Sequence, residues 1–383
     1  MLNNLFKLFK GEYQTLNRIE VSKENLLDNF RYLSKLNPKL KIAPVVKSNG
    51  YGHGILEVSK ALSSTSDVER KIPFLCVDSL FEAYQLLKAK ITLPILIMGF
   101  TDPENLKVKK LPFCYAVYNL ELARVLNDYQ TNCKVHIFVD TGMGREGVPL
   151  EQLPKFLLEL KQLKNLKIEG LMSHLASSES KHDKLFLNQI KSFKKAQAIC
   201  KRMGIKPKWL HIAASGSIIN PETRKIVASV SNLVRAGLAL YGYSGASSDR
   251  NLQPALKLTS KLTQIKNIKK GEKVGYDGTY LAKQNMLIGI LPIGYYDGVD
   301  RGLSNKGIVM IDSTVCPIIG RVSMNLTTID LSKVKNPMTD QQVTVYSDNK
   351  QNKNSIENAA KICKKIPYEI LVNLAASTKR VVV

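Results

Sequence analysis

Acidic residues are scarce in this chain. Thirty-two Asp and Glu face 56 Lys and Arg over 383 residues, a formal net charge of +24. The six cysteines, Cys76, Cys114, Cys133, Cys200, Cys316 and Cys363, never fall in a C-x-x-C pair. That spacing excludes a zinc ribbon, a redox motif and a signalled disulfide framework, so reduced thiols and no metal are expected. No apolar run reaches membrane-helix length, and the N-terminal MLNNLFKLFKGEY lacks a cleavage-like site. A cytoplasmic chain without a membrane partner is the expectation. No Gly-x-Gly-x-x-Gly follows the first strand-like run, which argues against a doubly wound dinucleotide fold. The basic excess raises nucleic acid as a partner. The lysines are dispersed, however, and KNIKKGEK (266–273) is the densest cluster, without an arginine stripe or interleaved aromatics. It reads as a solvated hairpin edge, and no nucleic-acid partner is expected.

What is present is alternation. Strand-like runs occur at 41–47, 74–77, 94–99, 114–118, 134–140, 168–173, 209–213 and 233–242. Amphipathic stretches separate them, such as SLFEAYQLLKAK (79–90) and the long 183–204 segment. In the latter, Phe186, Ile190, Phe193 and Cys200 keep one face apolar and Gly204 provides a stop. Eight strands alternating with helices predict an α/β fold, a (β/α)8 TIM-like barrel over residues 1–245. Beyond it the helical period fades. Runs such as MLIGILPIG, KGIVMID and QVTVYS between turn signals predict a mostly antiparallel β domain over 246–383, with one helix at 355–366.

In such a barrel, chemistry sits at the C-terminal ends of the strands. Lys47 ends the first run, Asp140 and Arg145 follow the fifth, His174 ends the sixth, His211 and Ser215 lie on and after the seventh, and Arg235 and Gly237 lie in the eighth. Flanked by Val45 and Val46, Lys47 is expected to be partly desolvated, which favours a nucleophilic amine able to form an imine with a carbonyl. Ser215, Tyr51 and the backbone N–H groups around Gly237 could hold a phosphate. An imine-forming lysine beside a phosphate cradle suggests pyridoxal phosphate.

The segments VVKSNGYGHG, VDTGMGREG, LVRAGLALYG, VGYDGTY, LPIGYYDGVDR, GRVSMN and PYEIL, in this order, resemble the alanine racemase family from about residue 17 to the end. The resemblance implies a barrel followed by a β domain in a head-to-tail homodimer. It also implies pyridoxal phosphate as cofactor, alanine as substrate, and supply of D-alanine for peptidoglycan. By position it implies that Lys47 carries the cofactor and that Tyr276 is the second acid/base, reaching in from the partner subunit. Arg235 would face the pyridine nitrogen with His211 behind it. Tyr51, Ser215, Gly237, Leu238 and Tyr368 would grip the phosphate. Arg145 and Met324 would receive the substrate carboxylate, and His174 would stand close behind, near the Tyr276 hydroxyl. Three positions depart from the family pattern. Phe138 replaces a lysine that many relatives carry as a carbamate, Ala214 stands where an asparagine is usual, and Asn325 where an aspartate is usual. These changes bear on substrate preference. A broader racemase acting on serine or lysine, and a non-catalytic cofactor-binding barrel, are the rival readings.

Overall fold

The computed structural model describes residues 14–178, 180–244 and 249–383. Two compact units are present, one spanning Ser22–Ala255 and the other built mainly from Leu256–Val381 with the N-terminal residues up to Val21. The expected boundary at 245/246 falls on residues outside the described ones.

The first unit is a parallel barrel. Its strands are Lys41–Pro44, Leu75–Val77, Ile95–Ile97, Cys114–Val117, Lys134–Asp140, Lys167–Met172, Trp209–Ala214 (interrupted at Ile212) and Leu233–Ala236. Each pairs in parallel with the next. Leu233–Ala236 pairs back onto Lys41–Pro44, and a Val45–Cys76 bridge joins the first strand to the second, so the ring closes. The break at Ile212 divides the seventh strand's pairing. Its first half pairs with the sixth strand and its second half with the eighth. Runs such as Leu75–Val77, Ile95–Ile97 and Cys114–Val117 are buried at every position. That is the cost and the signature of a parallel sheet covered on both faces.

Helices follow the expected faces. Lys184–Arg202 buries Phe186, Ile190, Phe193 and Cys200, and Asp183 caps its start by accepting from the Leu185 N–H at 2.8 Å. Gly204 then adopts a φ of +73°, which ends the helix. The first and eighth runs are shorter as strands than the sequence suggests. Lys41–Pro44 stops three residues before Lys47, and Leu233–Ala236 gives way to a 3-10 turn at Leu238–Tyr241.

The strand pairings recorded in the second unit are antiparallel, with one isolated parallel bridge, Ser347–Ser355. One six-stranded sheet runs in the order Thr314–Pro317, Ile308–Ile311, Gln342–Tyr346, Leu256–Lys261, Arg18–Val21, Lys379–Val382. A three-stranded sheet combines Gln264–Ile268, Met286–Leu291 and Thr327–Asp330. The N-terminal strand Arg18–Val21 therefore pairs with residues more than two hundred positions away, which no local pattern announces. The expected C-terminal helix is shorter, Ile356–Cys363, and a second one, Pro367–Val372, follows it.

No helix among the described residues is long and apolar enough to cross a membrane. Among the same residues, no group of three His, Cys, Asp or Glu is arranged to hold a metal ion. All six cysteines are free.

Candidate active site at the barrel rim

Lys47 does not sit at the tip of a strand. It opens a turn in which Ser48, Asn49, Gly50 and Tyr51 all have positive φ, between 51° and 60°. Three of these four residues carry a Cβ, and left-handed backbone costs roughly 1–2 kcal/mol for each such residue. Surrounding contacts hold the turn. The Glu82 carboxylate accepts from the Ser48 N–H at 2.6 Å and, through its other oxygen, from the Asp78 N–H at 2.8 Å. Asn49 accepts from the Ile55 N–H at 3.0 Å. The Tyr51 ring stacks on Tyr241 at 5.1 Å, and the Tyr241 hydroxyl donates to the Val45 carbonyl at 2.9 Å. Lys47 Nζ is paired with Asp78 Oδ1 at 2.8 Å and its side chain is 34% exposed. A partly covered amine is what the sequence suggests; what is corrected is its place at a strand tip. The left-handed turn carries the side chain off the strand axis to a carboxylate and toward solvent.

Across the rim, Ser215 Oγ accepts from the Gly237 N–H at 3.1 Å and from the Ala239 N–H at 3.2 Å. The Tyr51 hydroxyl lies so close that a Cβ added at Gly237 would be 2.5 Å from it. Only a glycine lets the Tyr51 hydroxyl approach this turn, where the Ser215 hydroxyl meets the backbone amides of Gly237 and Ala239. This arrangement fits a phosphate group, because every convergent atom is a hydroxyl or an N–H.

Arg235 is buried, at 4% exposure. It donates to His211 Nδ1 at 2.7 Å, the His211 carbonyl at 2.9 Å, the Ser173 carbonyl at 2.6 Å and His174 Nδ1 at 3.1 Å. Burial pushes its pKa down to about 10, which leaves it charged at neutral pH. His174 is pushed down to about 3 by burial, with Arg235, Arg145 and Lys47 adding repulsion. His211 is driven well below its usual value by burial and then by Arg235. His174 thus senses three of the cations expected at the site, which places them around one rim.

These imidazoles make stability depend on acid. The unfolded chain takes up protons near pH 6.5, whereas folded His174 does so only near 3. Stability is therefore full above 6.5 and falls as the pH drops below it. We expect the melting temperature to decline steadily from pH 7 to 4.5, and a flat profile there would contradict neutral buried imidazoles.

Arg145 is held otherwise than by a carbamate. Phe138 is buried against Ala116, Met172, Met98 and the edge of Tyr118. The loop that carries Arg145 is tied by Asp140 Oδ1, which accepts from the N–H groups of Gly142 and Met143, each at 2.9 Å, and Gly144 at 3.3 Å. Arg145 Nε contacts Glu146 Oε2 at 3.3 Å, with the arginine 55% exposed. Ala214 pairs with Arg235 in the barrel register.

The remaining candidates belong to the second unit. Tyr276 begins a tight turn, Tyr276–Gly278, between the paired strands Lys273–Val274 and Tyr280–Leu281, and is 68% exposed. Met324 is 55% exposed. Tyr368 lies in the helix Pro367–Val372, and Asn325 is exposed beside Met324.

Several residues escaped the sequence reading. Asp78 and Glu82 fix the Lys47 turn, and Gln189 donates to the His174 carbonyl at 2.9 Å while accepting from the Ala176 N–H at 2.8 Å. His136 sits in the fifth strand. An alternating His136, Phe138, Asp140 face was visible there, but its polar first member attracted no notice.

The fold and rim define a barrel with a lysine and an anion cradle at the C-terminal strand ends, joined to an antiparallel β domain. Two family models match the chain: alanine racemase, N-terminal domain, over residues 21–245, and alanine racemase, C-terminal domain, over residues 255–382. The chain belongs to the alanine racemase family. It is 33% identical over 371 residues to an alanine racemase of Borreliella burgdorferi, covering 94% of this chain and 96% of that protein. With an alanine racemase of Carboxydothermus hydrogenoformans it shares 35% identity over 382 residues, 95% of this chain and 98% of that protein. Among solved structures, alanine racemase of Clostridium difficile 630 superimposes with a TM-score of 0.87 at 28% identity, covering 97% of each chain. The Bacillus anthracis enzyme with bound L-Ala-P gives 0.86 at 28% identity, covering 97% of this chain and 96% of that one.

Proposed function

We propose that the chain interconverts L-alanine and D-alanine with pyridoxal phosphate, acting as a cytoplasmic homodimer whose D-alanine feeds peptidoglycan synthesis. The observation that carries this reading is the single rim on which Lys47, the Tyr51–Ser215–Gly237 cradle and buried Arg235 occur, in a chain matched by both family domains. When bound, pyridoxal phosphate supplies the electron sink that lets an α-proton leave.

The protein's residues do the rest. Lys47 would hold the cofactor covalently, and its amine, when free of that bond, would handle the proton on one face of the α-carbon. Tyr276, from the partner subunit's copy of the β domain, handles the opposite face through its phenol. Inversion needs one such group on each side. Tyr51, Ser215, Gly237 and Leu238, with Tyr368, bind the phosphate. Arg235, backed by His211, would face the pyridine nitrogen. A donor-only guanidinium would keep that nitrogen unprotonated, which would weaken the sink and limit side reactions. Arg145 and the Met324 backbone receive the carboxylate, and His174 stands behind the phenol. The barrel within residues 1–245 serves as the cofactor domain, less the strand Arg18–Val21, which pairs into the β domain. Residues 246–383 serve as the domain that completes the partner's site.

The test is an absorbance spectrum of purified protein with pyridoxal phosphate, followed by D-alanine formation from L-alanine. Faster turnover of L-serine or L-lysine would shift the assignment to a broader racemase. Cofactor binding without α-proton exchange in heavy water would make the protein a carrier. A fully active monomer by light scattering would remove the trans role of Tyr276.

Gly237→Ala tests the cradle. The added methyl would lie 2.5 Å from the Tyr51 hydroxyl. Overpacking of this kind costs about 1–3 kcal/mol. We expect pyridoxal phosphate to bind about 5- to 140-fold more weakly by fluorescence titration, since 1.4 kcal/mol is a factor of ten. Unchanged affinity would place the phosphate elsewhere.

A further inference from the structure

A polar column runs through the barrel core beneath the rim. Arg235 donates to His211 Nδ1 at 2.7 Å. His211 Nε2 lies 2.8 Å from His136 Nδ1. His136 Nε2 lies 3.7 Å from Glu169 Oε2, and Glu169 Oε1 pairs with Lys134 Nζ at 2.7 Å. Arg235, His211 and His136 are buried, the two imidazoles completely. Among the described residues Arg235 forms no direct ion pair, and His136 Nε2 has no hydrogen-bond partner, Glu169 being its nearest recorded contact.

The barrel is shaped around this column. Gly170 stands opposite His136 in the strand register, and a Cβ there would be 2.3 Å from His136 Nδ1. Phe74 meets the His136 ring edge-on at 5.2 Å and the His211 ring at 6.1 Å. A methyl on the sixth strand would thus expel the imidazole, and an aromatic wall keeps it dry.

The direction of every link follows from one end. A guanidinium has only donors, so His211 Nδ1 must accept. A neutral His211 then carries its proton on Nε2 and donates to His136 Nδ1. His136 in turn carries its proton on Nε2, aimed at Glu169. Burial pushes both imidazoles toward the neutral form, and the neighbouring His136 and Lys134 hold Glu169 down at about 2, as a carboxylate. The column therefore runs from cation to anion through two aligned neutral dipoles, and aligned hydrogen bonds in a low-dielectric interior polarise one another.

We propose that Glu169 and His136 are positioning residues for the racemase reaction: they stabilise the His211 tautomer that Arg235 selects and supply, through two imidazoles, the counter-charge of the buried Arg235 that faces the cofactor. This rests on the function proposed above only for its effect on turnover. The tautomers themselves are a property of the protein with or without cofactor.

Two measurements on the full-length protein test it. Histidine-selective 15N NMR, with and without pyridoxal phosphate, should show His211 and His136 both neutral and both protonated on Nε2. A proton on Nδ1 of either ring, or a charged ring, overturns the column. In Glu169→Gln, which keeps the shape and removes the charge, we expect kcat to fall about tenfold in both directions with KM for alanine within about twofold. In an Arg235→Gln background, which removes the cation, the same change should have no further effect on kcat. An unchanged kcat in Glu169→Gln, or an equal additional loss in the Arg235→Gln background, refutes the coupling and leaves Glu169 as mere packing. If the wild-type protein does not racemise alanine, the proposed function fails while the NMR arm still decides the tautomers. Should Glu169→Gln fold poorly, His136→Gln gives the second reading: the His211 15N signals should lose the pure Nε2–H pattern, and retention of that pattern refutes the role of His136.

Discussion

Lys47→Ala is expected to abolish the absorbance of lysine-bound pyridoxal phosphate and to lower racemisation by at least roughly 10⁴-fold, the scale seen when a covalent group is removed from a catalytic unit. The argument is chemical and geometric together. Lys47 is the amine carried by the left-handed turn, and it shares that turn with Tyr51, whose hydroxyl lies against the Gly237 cradle that would bind a phosphate. Its present partner, Asp78 Oδ1 at 2.8 Å, is an exposed carboxylate, and exposed pairs contribute only about 0–1 kcal/mol. The pair therefore orients the amine without locking it away from a carbonyl. Removing the amine leaves the phosphate cradle intact, so weak non-covalent binding of the cofactor should survive with the spectrum of the free aldehyde. A variant that kept the lysine-bound spectrum would refute the anchoring role.

Tyr276→Phe is expected to produce the next largest loss. Positioned acid–base groups are worth about 10²–10⁴-fold. The loss should be unequal, because a phenol on one face of the α-carbon serves one enantiomer's proton and the amine serves the other's. Proton exchange from L- and D-alanine in heavy water, measured separately, reads this directly. Equal losses in both directions would count against two-base chemistry. The side chain is 68% exposed and sits on a turn with positive φ at Gly275, Asp277 and Gly278, so the substitution should leave the chain's own folding unaffected. Mixing Lys47→Ala with Tyr276→Phe chains separates the two roles further. Hybrid dimers would regain one intact site, whereas neither parent has any.

Legibility in the sequence followed the range of the interactions. The barrel strands were readable because each is a short buried run between helical periods, a signal confined to a few residues. The rim was readable because strand ends are known once strands are. The left-handed Lys47 turn was not. Its one glycine with positive φ, Gly50, is flanked by Ser48, Asn49 and Tyr51, which adopt that backbone only because Glu82 and Tyr241 hold them. Nor was the amine's carboxylate partner legible, since the distance from Lys47 to Asp78 is set by packing between the first and second barrel strands.

By itself the sequence determined the alternation of strands and helices, the change to antiparallel pattern after the barrel, and the residue types at the strand ends. These depend on local periodicity and turn chemistry, which each segment carries alone. Only the tertiary structure decided which polar groups meet. Arg235 reaches Ser173 across 62 positions and His211 reaches His136 across 75. Such pairings form when a closed ring of strands brings distant residues into register and removes the water that would otherwise satisfy them, and no window of sequence contains both partners.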